Sequence, residues 1–276
     1  MVSARVSART IRLLLSDVDG TLVTTDKVLT EQSIKAVRQL RDAGVLFALT
    51  SARPPQGLAM FIKPLELDTP LAAFNGALLT DTNFKIIEEK TIDDQLSAPI
   101  VELLSSHGLS VWLYQGADWY VLDMDGPHVA HESLTCQCEP SVLKNFDGVE
   151  TGVAKIVGVS DDSDACAAAM AALQQRFGSR VLATRSQSYF VDVTHSEASK
   201  GHVVKYLSAR YNIPTSEIAT IGDMHNDLSM FAVSGLSIAM GNADDEVQAA
   251  ASEVTTSNDD EGFAHAVTRF VLPQSS

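Results

Sequence analysis

Cysteine is scarce in this chain, with three among 276 residues, at Cys136, Cys138 and Cys166. An odd set without zinc-type spacing excludes a disulfide framework and leaves the C-x-C pair as two free thiols, so a reducing compartment, the cytoplasm, is expected. Basic residues are also few. Lys and Arg total 20 against 35 Asp and Glu, a formal net charge of -15, and no Lys/Arg cluster offers a groove for a phosphate backbone, so nucleic acid is not an expected partner. Long apolar runs are missing as well. Nothing approaches the roughly 20 apolar residues of a membrane span, and Ile11 to Leu15 is too short for a signal-peptide core. Residues 1 to 10 read as a frayed tail, and there is no internal repeat and no low-complexity tract.

What is present is an ordinary globular composition, 45% apolar and 20% charged, long enough for two domains. Leu13 to Ser16 reads as a buried parallel strand running into Asp17. Thr30 caps a helix whose Ile34, Val37 and Leu40 share a face, and Gly44 ends it. Strands follow at Val45 to Leu49 and Leu71 to Phe74, and this strand–helix alternation predicts a parallel sheet covered by helices. Between residues 83 and 194 the pattern changes. Val111 to Tyr114 and Trp119 to Leu122 read as an antiparallel hairpin, Val153 to Val159 as a strand, and Cys166, Met170, Leu173 and Phe177 as one face of a helix. Tyr189, Val191 and Val193 alternate with Phe190, Asp192 and Thr194, as in a strand with one face buried. The α/β alternation then resumes with a helix over Gly201 to Arg210, strands at Ile218 to Ile221 and Leu236 to Ala239, and helices at Leu228 to Ala232 and Asp245 to Ala251. The expected architecture is an α/β core from residues 1–82 and 195–276 interrupted by an α+β segment, 83–194.

Two strand ends carry carboxylates. In Asp17-Val18-Asp19-Gly20-Thr21, a chain that curls out of the sheet at Gly20 brings both aspartates to one site. An ionised Asp attacking phosphorus forms an acyl phosphate that water later hydrolyses, and a second carboxyl moves the protons. The same residues also suit a strand-ending Asx turn. The second strand end is Gly222-Asp223-Met224-His225-Asn226-Asp227. Mg²⁺ takes a few hard oxygens and keeps waters, so Asp17 and Asp223 suffice as its side-chain ligands, with Asp227 behind them; Asn226 and Asp227 are equally good helix caps. Lys200, at a helix start, places a point charge for a phosphoryl oxygen, and Ser51, after a strand, offers a hydroxyl. The aromatic residues Trp112, Tyr114, Trp119 and Tyr120 suit sheet packing better than a pocket lining.

Together, Asp17 to Thr21, Ser51 to Pro54, Ser199 to Gly201 and Gly222 to Asp227 resemble, in order, the motifs of the haloacid dehalogenase-like phosphatases, in particular the Cof-type group with an inserted α/β cap (type IIB). Asn75-Gly76-Ala77 and Met240-Gly241-Asn242-Ala243 extend the likeness over most of the core. The resemblance implies a Rossmann-like core with helices on both faces of its sheet. It makes Asp17 nucleophile and magnesium ligand, Asp19 general acid/base with its carbonyl on the metal, and Asp223 the other ligand. Ser51 and Lys200 hold the transferring phosphoryl group, with Asn226 and Asp227 supporting the site. Ser51-Ala52-Arg53-Pro54 departs from the family's usual Thr-Gly-Arg-Pro, which leaves Thr50 as a rival hydroxyl. His225 stands at a position that varies.

The expected function is magnesium-dependent hydrolysis of small phosphorylated metabolites, sugar phosphates by resemblance, in a cytoplasmic monomer or homodimer. A phosphosugar mutase using the same aspartate is the nearest alternative, distinguished by an isomeric product with almost no free phosphate. A catalytically silent phosphometabolite-binding protein is the alternative from another class, and the two carboxylates Asp17 and Asp19 argue against it.

Overall fold

The structure, a computed structural model, describes residues 10–273. The tail expected over residues 1 to 10 lies, apart from Thr10, outside them. The chain divides into two compact units, one from residues up to 48 together with those from 204 on, the other Leu49–Val203. The change of pattern read at residues 83 and 194 falls inside the second.

In the first unit Leu13–Ser16 lies parallel to Ile218–Gly222, in register Leu13 to Ile218, and Ile218–Gly222 lies parallel to Leu236–Ala239. A short strand, Glu253–Val254, adds to the edge, and Leu46 N–H donates to Arg12 O (2.9 Å). All four residues of Leu13–Ser16 are buried, because a parallel strand is covered on both faces and every position can be apolar. Helix Glu31–Asp42 begins where Thr30 accepts the N–H of Ser33 and buries Ala36, Val37 and Leu40; Gly44 follows at φ +74°. The C-terminal helix Gly262–Ala266 packs Phe263 edge-on to Phe47, with ring centroids 5.7 Å apart.

The second unit holds two sheets. Thr50, at the end of Leu46–Thr50, pairs parallel with Ala72 of Leu71–Ala73. Two strands not anticipated from the sequence, Leu78–Thr80 and Ile86–Glu89, then continue antiparallel. Ile86 and Ile87 are exposed on the latter, so no periodic burial pattern marks it. The other sheet has six strands, with the expected hairpin Ser110–Gln115 and Asp118–Val121 and Val153–Val159 antiparallel to both Ser110–Gln115 and Phe190–His195. One face packs Val111, Leu113, Ile156, Val191 and Val193 against Leu104, Ile100, Cys166 and Leu173 of helices Asp94–Ser106 and Ser163–Phe177.

The opposite face corrects the expectation of a one-sided strand. Phe190, Asp192 and Thr194 are buried too, because Trp112, Tyr114 and Trp119 form a ring cluster there. Trp112 meets Trp119 at 5.1 Å and Phe190 at 5.3 Å, and Tyr114 meets Phe74 at 5.0 Å. These aromatic residues are packing residues. Among the described residues, no helix is long and apolar enough to cross a membrane, and all three cysteines are free.

Candidate active site

The ladder between the first two strands ends where Asp17 N–H donates to Ile221 O (3.0 Å). Beyond it the chain curls, and Val18 O accepts the N–H groups of Thr21, Leu22 and Val23. Gly20 makes the curl possible at φ +77°. A Cβ there would stand 2.2 Å from Asp223 Oδ2 and 2.9 Å from Oδ1, so the glycine supplies both the backbone conformation and the space for the neighbouring carboxylate. Thr21 Oγ1 donates to Asp223 Oδ1 (2.8 Å). Two asparagines fasten the curl: Asn242 Nδ2 donates to Gly20 O (2.9 Å) and Asn258 Nδ2 to Val23 O (3.0 Å), while Asn242 Oδ1 accepts the N–H of Asn258.

The second strand end is built around Asp227. Its Oδ2 accepts the N–H groups of both Asp223 and Met224 at 2.9 Å, which satisfies two donors of the turn. Gly222 admits this close approach, since a Cβ there would lie 2.3 Å from Asp227 Cγ. The result is a cluster. Asp17, Asp223 and Asp227 are all buried and each offers a carboxylate oxygen within 4.8 Å of the others. Packing like charges so closely out of water is costly unless donors and a cation compensate them, so the donor set fits a hard divalent ion of the magnesium type.

The sequence profile of the haloacid dehalogenase-like hydrolases matches residues 14–267. The chain belongs to that family. Among its relatives, the 5-amino-6-(5-phospho-D-ribitylamino)uracil phosphatase YwtE of Bacillus subtilis is 28% identical over 94% of this chain and 97% of its own length. The pyridoxal phosphate phosphatase YbhA of Escherichia coli is 29% identical over 92% and 97%. The crystal structure of a haloacid dehalogenase-like hydrolase from Bacteroides thetaiotaomicron superposes with a TM-score of 0.84 at 25% identity, covering 94% of this chain and 99% of that one. Family and relatives together make this chain an enzyme of the phosphatase kind.

The other residues singled out in this haloacid dehalogenase-like chain are placed as follows. Asp19 directs its carboxylate to Lys27 Nζ (2.8 Å), with about a quarter of its side chain exposed. Asn226 lies in the 3₁₀ turn His225–Asp227. His225 points Nε2 to Asp244 Oδ2 (2.8 Å); the N–H of Val247, then that histidine, hold the Asp244 carboxyl below the usual carboxylate range.

Ser51 and Lys200 belong to the second unit. Ser51 N–H donates to Ala72 O and its carbonyl accepts from Asn75 N–H; its Oγ accepts from Arg53 N–H (3.1 Å). Thr50 Oγ1 is buried without a hydrogen-bond partner among the described residues. Arg53 is buried, and its Nη1 donates to Gly57 O and Thr135 O, each at 3.2 Å. Lys200 opens helix Lys200–Tyr211 and is wholly buried, with Ser199 Oγ before it accepting the N–H of His202.

Thr21, Lys27 and Asn258 are contributors that the sequence reading did not assign. Thr21 stood inside the first motif, and its hydroxyl beside two aspartates was a usable signal. Lys27 and Asn258 carried none, because their partners are set by the folded turn.

Proposed function

We propose that the enzyme is a magnesium-dependent phosphomonoesterase for small phosphorylated metabolites, with sugar phosphates as the substrate class, working through an aspartyl-phosphate on Asp17. The observation that carries this is the buried cluster of Asp17, Asp223 and Asp227 at the ends of two adjacent parallel strands, the position at which open α/β sheets bind their ligands. The relatives named for a phosphorylated ribitylaminouracil and for pyridoxal phosphate support a small organic phosphate over a macromolecular one.

In this reading Asp17, Asp223 and the carbonyl of Asp19 hold Mg²⁺. Bound there, the ion would supply positive charge to offset the carboxylates and polarise the phosphoryl group. Asp17 attacks phosphorus, the P–O bond to the alcohol breaks, and Asp19 gives the departing oxygen its proton. Asp19 then takes a proton from the water that cleaves the acyl phosphate, which returns Asp17 as carboxylate and releases inorganic phosphate. For the first of these steps Asp19 gives up its bond to Lys27 and takes a proton from solvent, which it then passes to the leaving oxygen. Ser51 donates its hydroxyl to the phosphoryl group, Lys200 neutralises charge developing on it, and Asn226 and Asp227 hold the loop. The segment 83–194 serves as a cap that selects the organic group and excludes water.

The test is phosphate release from a panel of sugar phosphates, nucleotides and small phosphoesters with Mg²⁺ and with chelator, using Asp17→Asn as the blank. Release is expected with Mg²⁺ alone and absent from Asp17→Asn, whose thermal unfolding stays that of the wild type. Full turnover in the variant, or in chelator, contradicts the mechanism.

A further inference from the structure

The second unit contains a buried ion pair that the reaction just described does not use. Lys155, on Val153–Val159, places Nζ 2.8 Å from Asp192 Oδ1 on the neighbouring strand, and both side chains are buried, at 7% and 1% exposure. Burying an ammonium and a carboxylate is expensive even when they pair, and apolar residues of similar volume serve stability as well or better. The pair therefore calls for a further role. Lys155 Nζ also donates to Ala52 O (3.1 Å) and lies 5.7 Å from the centroid of the Phe74 ring.

Ala52 O belongs to the peptide group whose other end is Arg53 N–H. That N–H donates to Ser51 Oγ (3.1 Å). Because the peptide is planar and rigid, holding its carbonyl fixes the direction of its N–H. The N–H in turn occupies an acceptor position on the Ser51 oxygen, so the hydroxyl keeps its own O–H to donate. The carbonyls on either side are held by backbone groups, Ser51 O by Asn75 N–H and Arg53 O by Phe74 N–H. Ala52 O is held by a side chain, through a charge-assisted bond.

We propose that Lys155 and Asp192 are positioning residues for Ser51: Lys155 locks the Ala52–Arg53 peptide, Asp192 holds Lys155, and the peptide orients the Ser51 hydroxyl toward the phosphoryl group. This rests on the reading of Ser51 as the phosphate-binding hydroxyl.

The test is a mutant cycle read as the affinity for inorganic phosphate, by calorimetry in the presence of Mg²⁺. The pair is replaced as Lys155→Met with Asp192→Val, which leaves no buried charge behind. In a second version, Lys155→Gln with Asp192→Asn, the charges are replaced by neutral polar groups and the amide ends one bond short of Ala52 O. Thermal unfolding selects whichever version stays folded. Ser51→Ala and the pair variant are each expected to weaken phosphate about tenfold, the size of one good hydrogen bond. Their combination is expected to weaken it about tenfold as well, because both act on one hydroxyl. A pair variant with wild-type affinity, or a combination near a hundredfold, overturns the inference while leaving the role of Ser51 standing. Unchanged affinity in Ser51→Ala alone overturns the reading of Ser51 and the inference with it.

Discussion

Gly20 separates two contributions that are hard to separate elsewhere, the backbone conformation of the loop after Asp17 and the space beside the Asp223 carboxylate. In Gly20→Ala the methyl group arrives 2.2 Å from Asp223 Oδ2, 2.7 Å from Cγ and 2.9 Å from Oδ1. Ordinary contact begins at 3.4 Å, so the carboxylate must retreat by roughly 1 Å, taking with it the 2.8 Å bond from Thr21. If Asp223 has the role proposed above, a shift of that size costs on the order of a hundredfold in rate. Alanine at φ +77° also carries a backbone penalty of about 1 kcal/mol. Gly44 is the matched control. Its φ is +74° and nothing lies within 4 Å of where an alanine methyl would stand, so Gly44→Ala meets the same backbone penalty without the collision. In a protein of this size about 1 kcal/mol lowers Tm by roughly 2 to 4 °C. Both variants are expected to show at least that drop, the larger in Gly20→Ala because of the collision, and only Gly20→Ala to lose about a hundredfold in kcat/KM. Gly20→Ala with the activity of Gly44→Ala would refute the argument that the glycine is there to make room for Asp223.

Two further outcomes follow from the same geometry. Mg²⁺ at about a hundred times its Kd is expected to stabilise the wild type by about 2.7 kcal/mol through linkage, a rise in Tm that disappears in Asp223→Ala; the same rise in the variant means the ion is held elsewhere. Cys136 Sγ donates to Glu132 Oε1 (2.9 Å); the nearby Cys136 holds the Cys138 thiol below the ordinary cysteine value, while Cys136 itself is pushed up, first by Cys138 and then by burial. Alkylation followed by mass spectrometry should therefore modify Cys138 first, with its rate rising at lower pH than for an ordinary thiol. Prior labelling of Cys136 is the contrary result.

Where the sequence spoke clearly, one physical rule dominated. Leu13 to Ser16 reads as a doubly covered strand, and the aspartate that ends such a run emerges at the sheet's carboxyl edge, so the positions of Asp17 and Asp223 were legible from their strands. Gly20 and Thr30 were equally clear, since a curl needs positive φ and a helix start needs an acceptor. The rule failed on Phe190–His195. Asp192 on a strand reads as solvent-facing because an isolated carboxylate is, and its burial depends on Lys155, which lies 37 positions earlier in the chain. Ile86–Glu89 failed in the opposite sense, since an edge strand with exposed isoleucines has no alternation to read. Lys27 and Asn258 act through one turn of backbone, and no local pattern encodes a partner fixed by tertiary placement.

The arrangement of donors around the acidic cluster decides what each carboxylate is able to do. Asp227 commits Oδ2 to two backbone N–H groups, which ties it to the loop and suits it to holding that loop more than to ligating an ion. Asp223 gives Oδ1 to Thr21, and the absent side chain of Gly20 leaves room beside its Oδ2. Asp17 sits where the parallel ladder ends, with its own N–H held by Ile221, so its main chain is fixed while its carboxylate lies beside the other two. For the mechanism proposed above, a rigid backbone under Asp17 is what an in-line attack on phosphorus would require, because the attacking oxygen must be aligned before the reaction rather than during it. The same division explains why three buried aspartates need not be redundant: one holds the loop, one is oriented by a neutral hydroxyl, and one stands on the fixed strand end from which the proposed attack would be aimed.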